Sequence, residues 1–104
     1  MGIDPGITRC GIGVVDVNAA RQCKLVYVGV VRTDPDLATQ FRLLKISEGI
    51  ADSIGRWGPD IVALERPFAK ENRQSVATTM QAMGIAMVEA ARGVCRSPHI
   101  HRLK

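Results

Sequence analysis

The sequence predicts an α/β fold built on a sheet of mixed direction with flanking helices. Three features carry that expectation. Residues 11–16 (GIGVVD) and 24–32 (KLVYVGVVR) read as two neighbouring strands. A helical stripe then leads to a short, continuously apolar run at 61–64, and a second helical stretch follows it. With the stub Gly2-Ile3 counted, the order is strand, strand, strand, helix, strand, helix. A hairpin followed by strand–helix units is the pattern of a mixed α/β sheet.

Each element has its own signal. Asp4-Pro5-Gly6 after the stub is turn chemistry, with a carboxylate able to bond its own backbone and a glycine free to take positive φ. The strand at 11–16 closes in a polar turn at Asn18. The segment 24–32, rich in valine with one tyrosine, is its expected hairpin partner. Thr33-Asp34-Pro35-Asp36 carries helix-start chemistry: oxygen-bearing caps and a proline suited to a helix entrance. Leu37, Phe41, Leu44, Ile50, Ile54 and Trp57 recur at steps of three, four or their sums, which describes one face of an amphipathic helix. Gly58-Pro59-Asp60 ends that helix. The run at 61–64, ending in Glu65, suits a strand buried on both faces. Beyond a loop with Pro67 and Phe68, a second helix is expected over about residues 72–92, with Val76, Met80, Met83, Met87 and Val88 as its apolar side.

Size and charge narrow the function. A chain of 104 residues makes at most one small domain, near the lower limit of independent folding. A hydrophobic fraction of 46% and a mean hydropathy near zero fit a soluble protein. No apolar run approaches the roughly 20 residues that cross a bilayer, and Met1-Gly2-Ile3-Asp4 lacks signal-peptide features. A cytoplasmic location and no membrane partner are expected. Cys10, Cys23 and Cys95 are odd in number and lack Cys-x-x-Cys spacing, so they read as reduced thiols. Residues 1–60 hold seven basic and seven acidic side chains, and residues 61–104 hold seven basic and three acidic. The excess of +4 therefore lies in the second part, which suits a polyanion such as nucleic acid.

Two acids stand at strand ends. In open α/β sheets, ligands collect beyond the carboxyl ends of the parallel strands. Asp4 follows Gly2-Ile3, and Glu65 follows the 61–64 run. If those strands lie side by side, the carboxylates converge and repel unless a proton or cation sits between them. Mg²⁺ prefers oxygen ligands of this kind. Each acid alone has a plainer reading, Asp4 as a turn residue and Glu65 as a solvated strand end.

The segment from Gly2 to Asp16, Gly-Ile-Asp-Pro-Gly-Ile-Thr-Arg-Cys-Gly-Ile-Gly-Val-Val-Asp, resembles the opening of the bacterial RuvC resolvases. A second match runs from Ala63 to Asn72, Ala-Leu-Glu-Arg-Pro-Phe-Ala-Lys-Glu-Asn, and Val30-Val31-Arg32-Thr33 fits between them. The likeness covers residues 2–93. It implies a ribonuclease H-like fold, a homodimer and Mg²⁺-dependent nicking of four-way (Holliday) junction DNA in recombination and repair, with two ions per complete site. Asp4 and Glu65 match two of the family's metal-binding catalytic acids. Phe68 matches the aromatic residue that packs on junction bases, where stacking contributes about 1–3 kcal/mol per base. Arg66, Lys70, Asn72 and Arg73 are the expected DNA contacts. The helix after Asn72 is expected to supply much of the dimer contact, its methionines and Ala82, Gly84 and Ala86 permitting close packing, although core packing alone also accounts for them. A branch-migration complex is a further partner implied by the family.

The chain also departs from the family. Two metals bring four positive charges, of which Asp4, Glu65 and a scissile phosphate offset three, and no Asp or Glu follows Glu89. His99 and His101 are poor Mg²⁺ ligands and read as tail residues. Only Met1 precedes Gly-Ile-Asp, where several apolar residues are expected. Residues 94–104 do not resemble the family's fifth strand. A frame shifted at the Val94 codon permits Leu-Pro-Val-Ala, closer to the family. The expectation is therefore a partial resolvase domain at 1–93 and a non-family tail at 94–104 from a frameshift, with the fifth strand and final helix missing or altered. Such a chain would be truncated at both ends, inactive as given, and marginally stable because one flank of its sheet is uncovered. Two other readings compete. One is a non-catalytic branched-DNA-binding or dimerisation module. The other, an actin-like ATPase, needs a second glycine-rich phosphate loop and a longer chain, and neither is present here.

Overall fold

The computed structural model describes residues 1–65, 73–96 and 102–103, with side chains through residue 65 and from 76 to 93. The elements are β1 (Gly2–Asp4), β2 (Arg9–Val17), β3 (Cys23–Arg32), α1 (Thr39–Trp57), β4 (Ile61–Leu64), α2 (Arg73–Arg96) and the two-residue β5 (Arg102–Leu103). The sheet order is β3-β2-β1-β4-β5. β1, β2 and β3 pair antiparallel, whereas β1–β4 and β4–β5 pair parallel. The expected element order through α2 and the mixed sheet are both present, and β5 adds a two-residue strand that the sequence reading did not place.

Local chemistry explains the connections. The β2–β3 turn is organised by Asn18, whose side-chain oxygen accepts the N–H groups of Ala20 and Gln22 at 3.0 Å each. Between Val14 and Val15 the pairing slips by one residue, so Val14 faces Tyr27 and Val15 faces Leu25. This bulge leaves one residue of β3, Val26, unpaired. Tyr27, opposite buried Val14, faces the helix side, where its ring stacks on Trp57 at 5.2 Å. α1 ends at Gly58, which takes the left-handed conformation at φ 52 and donates its N–H to the Ile54 carbonyl at 2.9 Å. Gly-Pro there stops the helix as its chemistry requires.

Three expectations about the helices and β4 need correction. First, 33–36 does not start a helix. The Thr33 hydroxyl donates to the Ile7 carbonyl, and the Asp34 carboxylate accepts the Asp36 N–H at 2.9 Å, closing a turn. Both oxygens serve other partners, and α1 starts at Thr39 behind Ala38, with no side-chain cap. Second, α1 buries Ile46, Ile50 and Ile54, while Leu37, Phe41 and Leu44 are exposed. At 100° per residue, Phe41 and Leu44 lie on the far side from Ile46, so the first half of the anticipated stripe was assigned to the wrong face. On α2 the same inversion occurs: Ala82, Ala86 and Ala90 are buried, and Met80, Met87 and Val88 are exposed. α2 packs against α1, and small side chains let two helix backbones approach where methionine would hold them apart. Third, β4 is covered on one face. Val62 is fully buried and Ile61 is 40% exposed.

That third point describes the whole sheet. Ile3, Cys10, Ile12 and Val62 join Ile46, Ile50, Ile54 and the α2 alanines in one core. The residues alternating with them, Gly2, Asp4, Gly11, Gly13, Ala63 and Glu65, face the other way. Among the described residues no element covers that second face. No helix among them is long and apolar enough to cross a membrane.

Candidate metal and nucleic-acid site

The parallel β1–β4 ladder sets the position of the two acids. Gly2 faces Ala63 and Ile3 faces Leu64, so Asp4 and Glu65 occupy the next rung. The Ala63 N–H donates to the Met1 carbonyl at 2.8 Å and the Glu65 N–H to the Ile3 carbonyl at 3.1 Å, carrying the ladder up to that rung. Both acids alternate with core-facing neighbours, buried Ile3 on one strand and half-buried Leu64 on the other, and so project from the same open face. The sequence expectation that these carboxylates are brought together at two strand ends agrees with this placement.

Beneath them the sheet is nearly bare. Asp4 and Glu65 line a concavity of about 360 Å³ whose floor includes Gly2, Gly11, Gly13 and Ala63. A Cβ built on Gly2 or Gly13 meets nothing within 4 Å, and one on Gly11 meets only the Asp4 Cβ at 3.5 Å. The protein's own packing does not need glycine at these places. What the glycines preserve is room over the strands for a group from outside. Alternation of glycine in Gly11-Ile12-Gly13, opposite a strand ending in Asp, is the sequence signal for this floor, and the motif reading did not use it.

The loop leaving Asp4 is held from the helix side. A Cβ on Gly6 would lie 2.5 Å from the Arg9 carbonyl oxygen, so only glycine permits that turn. The Thr33 N–H donates to the Thr8 carbonyl at 3.1 Å. Arg42 of α1 donates from Nε to Thr33 Oγ1 at 2.9 Å and from Nη2 to Thr8 Oγ1 at 3.0 Å. Burial pushes the Cys10 thiol above its ordinary range, a hydrogen bond with the Gly6 backbone opposes this, and the Asp4 charge adds to it.

The remaining anticipated contacts are not brought to the acids by anything described. Arg66, Phe68, Lys70 and Asn72 lie outside the described residues, and Arg73 is known only as the first residue of α2. Glu89 is buried between the helices, accepting from the Ser47 hydroxyl at 2.9 Å, with the Arg92 Nε at 3.5 Å. It therefore sits on the covered side of the sheet, away from Asp4. Among the described residues no three His, Cys, Asp or Glu side chains gather. Ala82 and Ala86 are buried in this chain's own core, which is the core-packing alternative for these small residues.

The sequence profile of the family described as crossover junction endodeoxyribonuclease RuvC matches residues 1–98. The chain belongs to the RuvC family. It is 48% identical over 95 residues to the RuvC of Bifidobacterium adolescentis, covering 90% of this chain and 49% of that protein. The RuvC of Cutibacterium acnes is 50% identical over 92 residues, covering 88% of this chain and 47% of that protein. The chain thus spans about half the length of the curated relatives it matches. Among solved structures, Thermus thermophilus RuvC in complex with a Holliday junction substrate superposes with a TM-score of 0.83 at 28% identity, covering 99% of this chain and 63% of that one. The yeast mitochondrial Holliday junction resolvase Ydc2 superposes with a TM-score of 0.66 at 12% identity, a likeness of fold alone. The ribonuclease H-like architecture expected from the sequence is the one this RuvC-family chain has.

Proposed function

We propose that this chain carries part of the active centre of a metal-dependent endonuclease that resolves four-way DNA junctions. The observation that supports it most is the shared rung of Asp4 and Glu65, projecting over a glycine floor from adjacent parallel strands. Two carboxylates offering only oxygen suit a hard divalent cation such as Mg²⁺, and the bare floor leaves space for it and a phosphate. Asp4 and Glu65 would hold the metal. A pair of such ions, when bound, activates a water and stabilises the leaving oxygen of an in-line displacement. The acids neutralise part of the ions' charge and fix them relative to the strand ends. Phe68 is assigned to junction bases, and Arg66, Lys70, Asn72 and Arg73 to the DNA backbone. The exposed Met80, Met87 and Val88 of α2 are assigned to a homodimer contact. A cytoplasmic location, a branch-migration partner, and a division into a resolvase part at 1–93 and a tail at 94–104 belong to the same reading.

The presence of two gathered acids rather than three or more among the described residues supports a second reading, a branched-DNA-binding module that does not cut. A labelled four-way junction with Mg²⁺ separates the two. The endonuclease reading expects nicks that vanish in Asp4→Asn and Glu65→Gln, while both variants still shift the junction in a gel. An intact shifted band with the unaltered chain supports the module. Equal affinity for the junction and for linear duplex of the same sequence would remove both readings.

A further inference from the structure

Two arginines on the open face stand in an arrangement that nothing among the described residues compensates. Arg9 opens β2 and Arg32 closes β3, and the two are direct cross-strand partners. Arg9 alternates with buried Cys10 and shares the face of Gly11 and Gly13, and Arg32 shares the face of Val30 and Val28. Both therefore point to the side on which Asp4 and Glu65 stand. Asp4, Gly11 and Val30 form one row across the sheet. The arginine pair is the next row on that face, about 7 Å further toward the same sheet end. Read across the strands, this end of the open face runs Arg32, Arg9, Asp4, Glu65.

Like charges directly opposite each other destabilise a strand pair. Among the described residues neither arginine forms an ion pair or a side-chain hydrogen bond. The acids close by in sequence are Asp34 and Asp36, and the Asp34 carboxylate is turned to the Asp36 N–H. The pair is nevertheless held together from behind. Arg42 bonds both Thr8 and Thr33, the residues next to Arg9 and Arg32, and the Thr33 N–H closes on the Thr8 carbonyl. The fold thus clamps two uncompensated guanidiniums side by side. Such a pair is relieved by a group that accepts from both at once, and guanidinium geometry matches the oxygens of a phosphate.

We propose that Arg9 and Arg32 form a binding site for a backbone phosphate of the DNA strand, one position removed from the phosphate that the acid pair addresses. The inference rests on the reading that Asp4 and Glu65 act on DNA. It assigns contacts to residues 1–60, the part of the chain whose net charge is zero. Bound here, a phosphodiester sets the direction in which the strand crosses the open face.

Salt titration of DNA binding tests it. Each neutralised phosphate contributes about 0.9 to the slope of log affinity against log salt on duplex DNA. The full chain and its variants are titrated against a four-way junction and against linear duplex. The double variant Arg9→Gln with Arg32→Gln, which removes the site for one phosphate, is expected to lose about 0.9 of slope. Arg9→Lys with Arg32→Lys, which keeps the charge, restores it and guards against misfolding as the cause. Arg21→Gln, in the exposed turn at the opposite end of the hairpin, should leave the slope unchanged. Because like charges are removed, the double glutamine variant should melt no lower than the unaltered chain in low salt. An unchanged slope, or an equal fall in Arg21→Gln, overturns the proposal. Preference of the unaltered chain for the junction over duplex is read separately. Its loss with the arginine effect intact defeats the junction reading alone, and its presence without the arginine effect defeats the phosphate pair alone.

Discussion

Asp4 and Cys10 sit on opposite faces of the same few rungs, and the difference in their surroundings sets their chemistry. Asp4 is exposed over a floor of glycine, whereas Cys10 is sealed beneath the helices with no exposed surface. Desolvation raises the Cys10 thiol in the folded chain. The unfolded thiol therefore ionises first as pH climbs. Its contribution to stability is whole below the ordinary thiol range and is lost as pH rises through the folded value. Urea midpoints should fall at alkaline pH, and Cys10→Val should flatten that fall. Mass mapping after brief alkylation of the native chain should find Cys23, which is exposed, modified and Cys10 untouched. A Cys10 adduct formed as fast as the Cys23 one would contradict its burial.

The helices meet the sheet and each other through small residues. Gly49 of α1 lies against Val31 of β3, and a Cβ there would come 2.5 Å from Val31 Cγ2. Two effects compete in Gly49→Ala. Helix propensity favours alanine by about 0.8–1.0 kcal/mol, while forcing a methyl against a stiff β-branched side chain costs about 1–3 kcal/mol. Overpacking is the larger, so Gly49→Ala should lower stability by up to about 2 kcal/mol in chemical denaturation. A stabilised variant would mean that α1 shifts freely on the sheet. Between the helices, Ser47 donates to Glu89. Hydrogen bonds to charged groups contribute about 1.5–3 kcal/mol, and Ser47→Ala should lose toward the lower end because Arg92 remains beside the carboxylate. At this scale the sequence was legible in part. The helices, their order and the Gly58 stop are written in local chemistry. Which stripe of each helix is buried is not, because methionine and alanine both count as apolar, and only the distance between α1 and α2 selects the smaller.

The described residues form a sheet with one face packed and one face open, and the two faces have different functions in the proposed reading. Exposed Val15, Val17, Leu25, Val28 and Val30 extend the open face beyond the acids, and a continuous apolar surface of this kind favours association. On the helix side, Met80, Met87 and Val88 are the exposed apolar residues of α2. Sedimentation of the chain should show a dimer that Met80→Glu with Met87→Glu converts to monomer, with unchanged circular dichroism. A monomer before substitution would remove α2 as the contact. The periodicity of apolar residues and the Gly-Pro break were enough to anticipate element order and to single out the two acids at strand ends, since each depends on chemistry within a few residues along the chain, and the resemblance supplied the fold family. The pairing of Asp4 with Glu65, the bare glycine floor and the meeting of Arg9 with Arg32 depended on strand register, and the exclusion of Glu89 on the packing of α2 against α1. Register joins residues distant in sequence, and shifting it by one residue would turn every side chain of a strand to the other face.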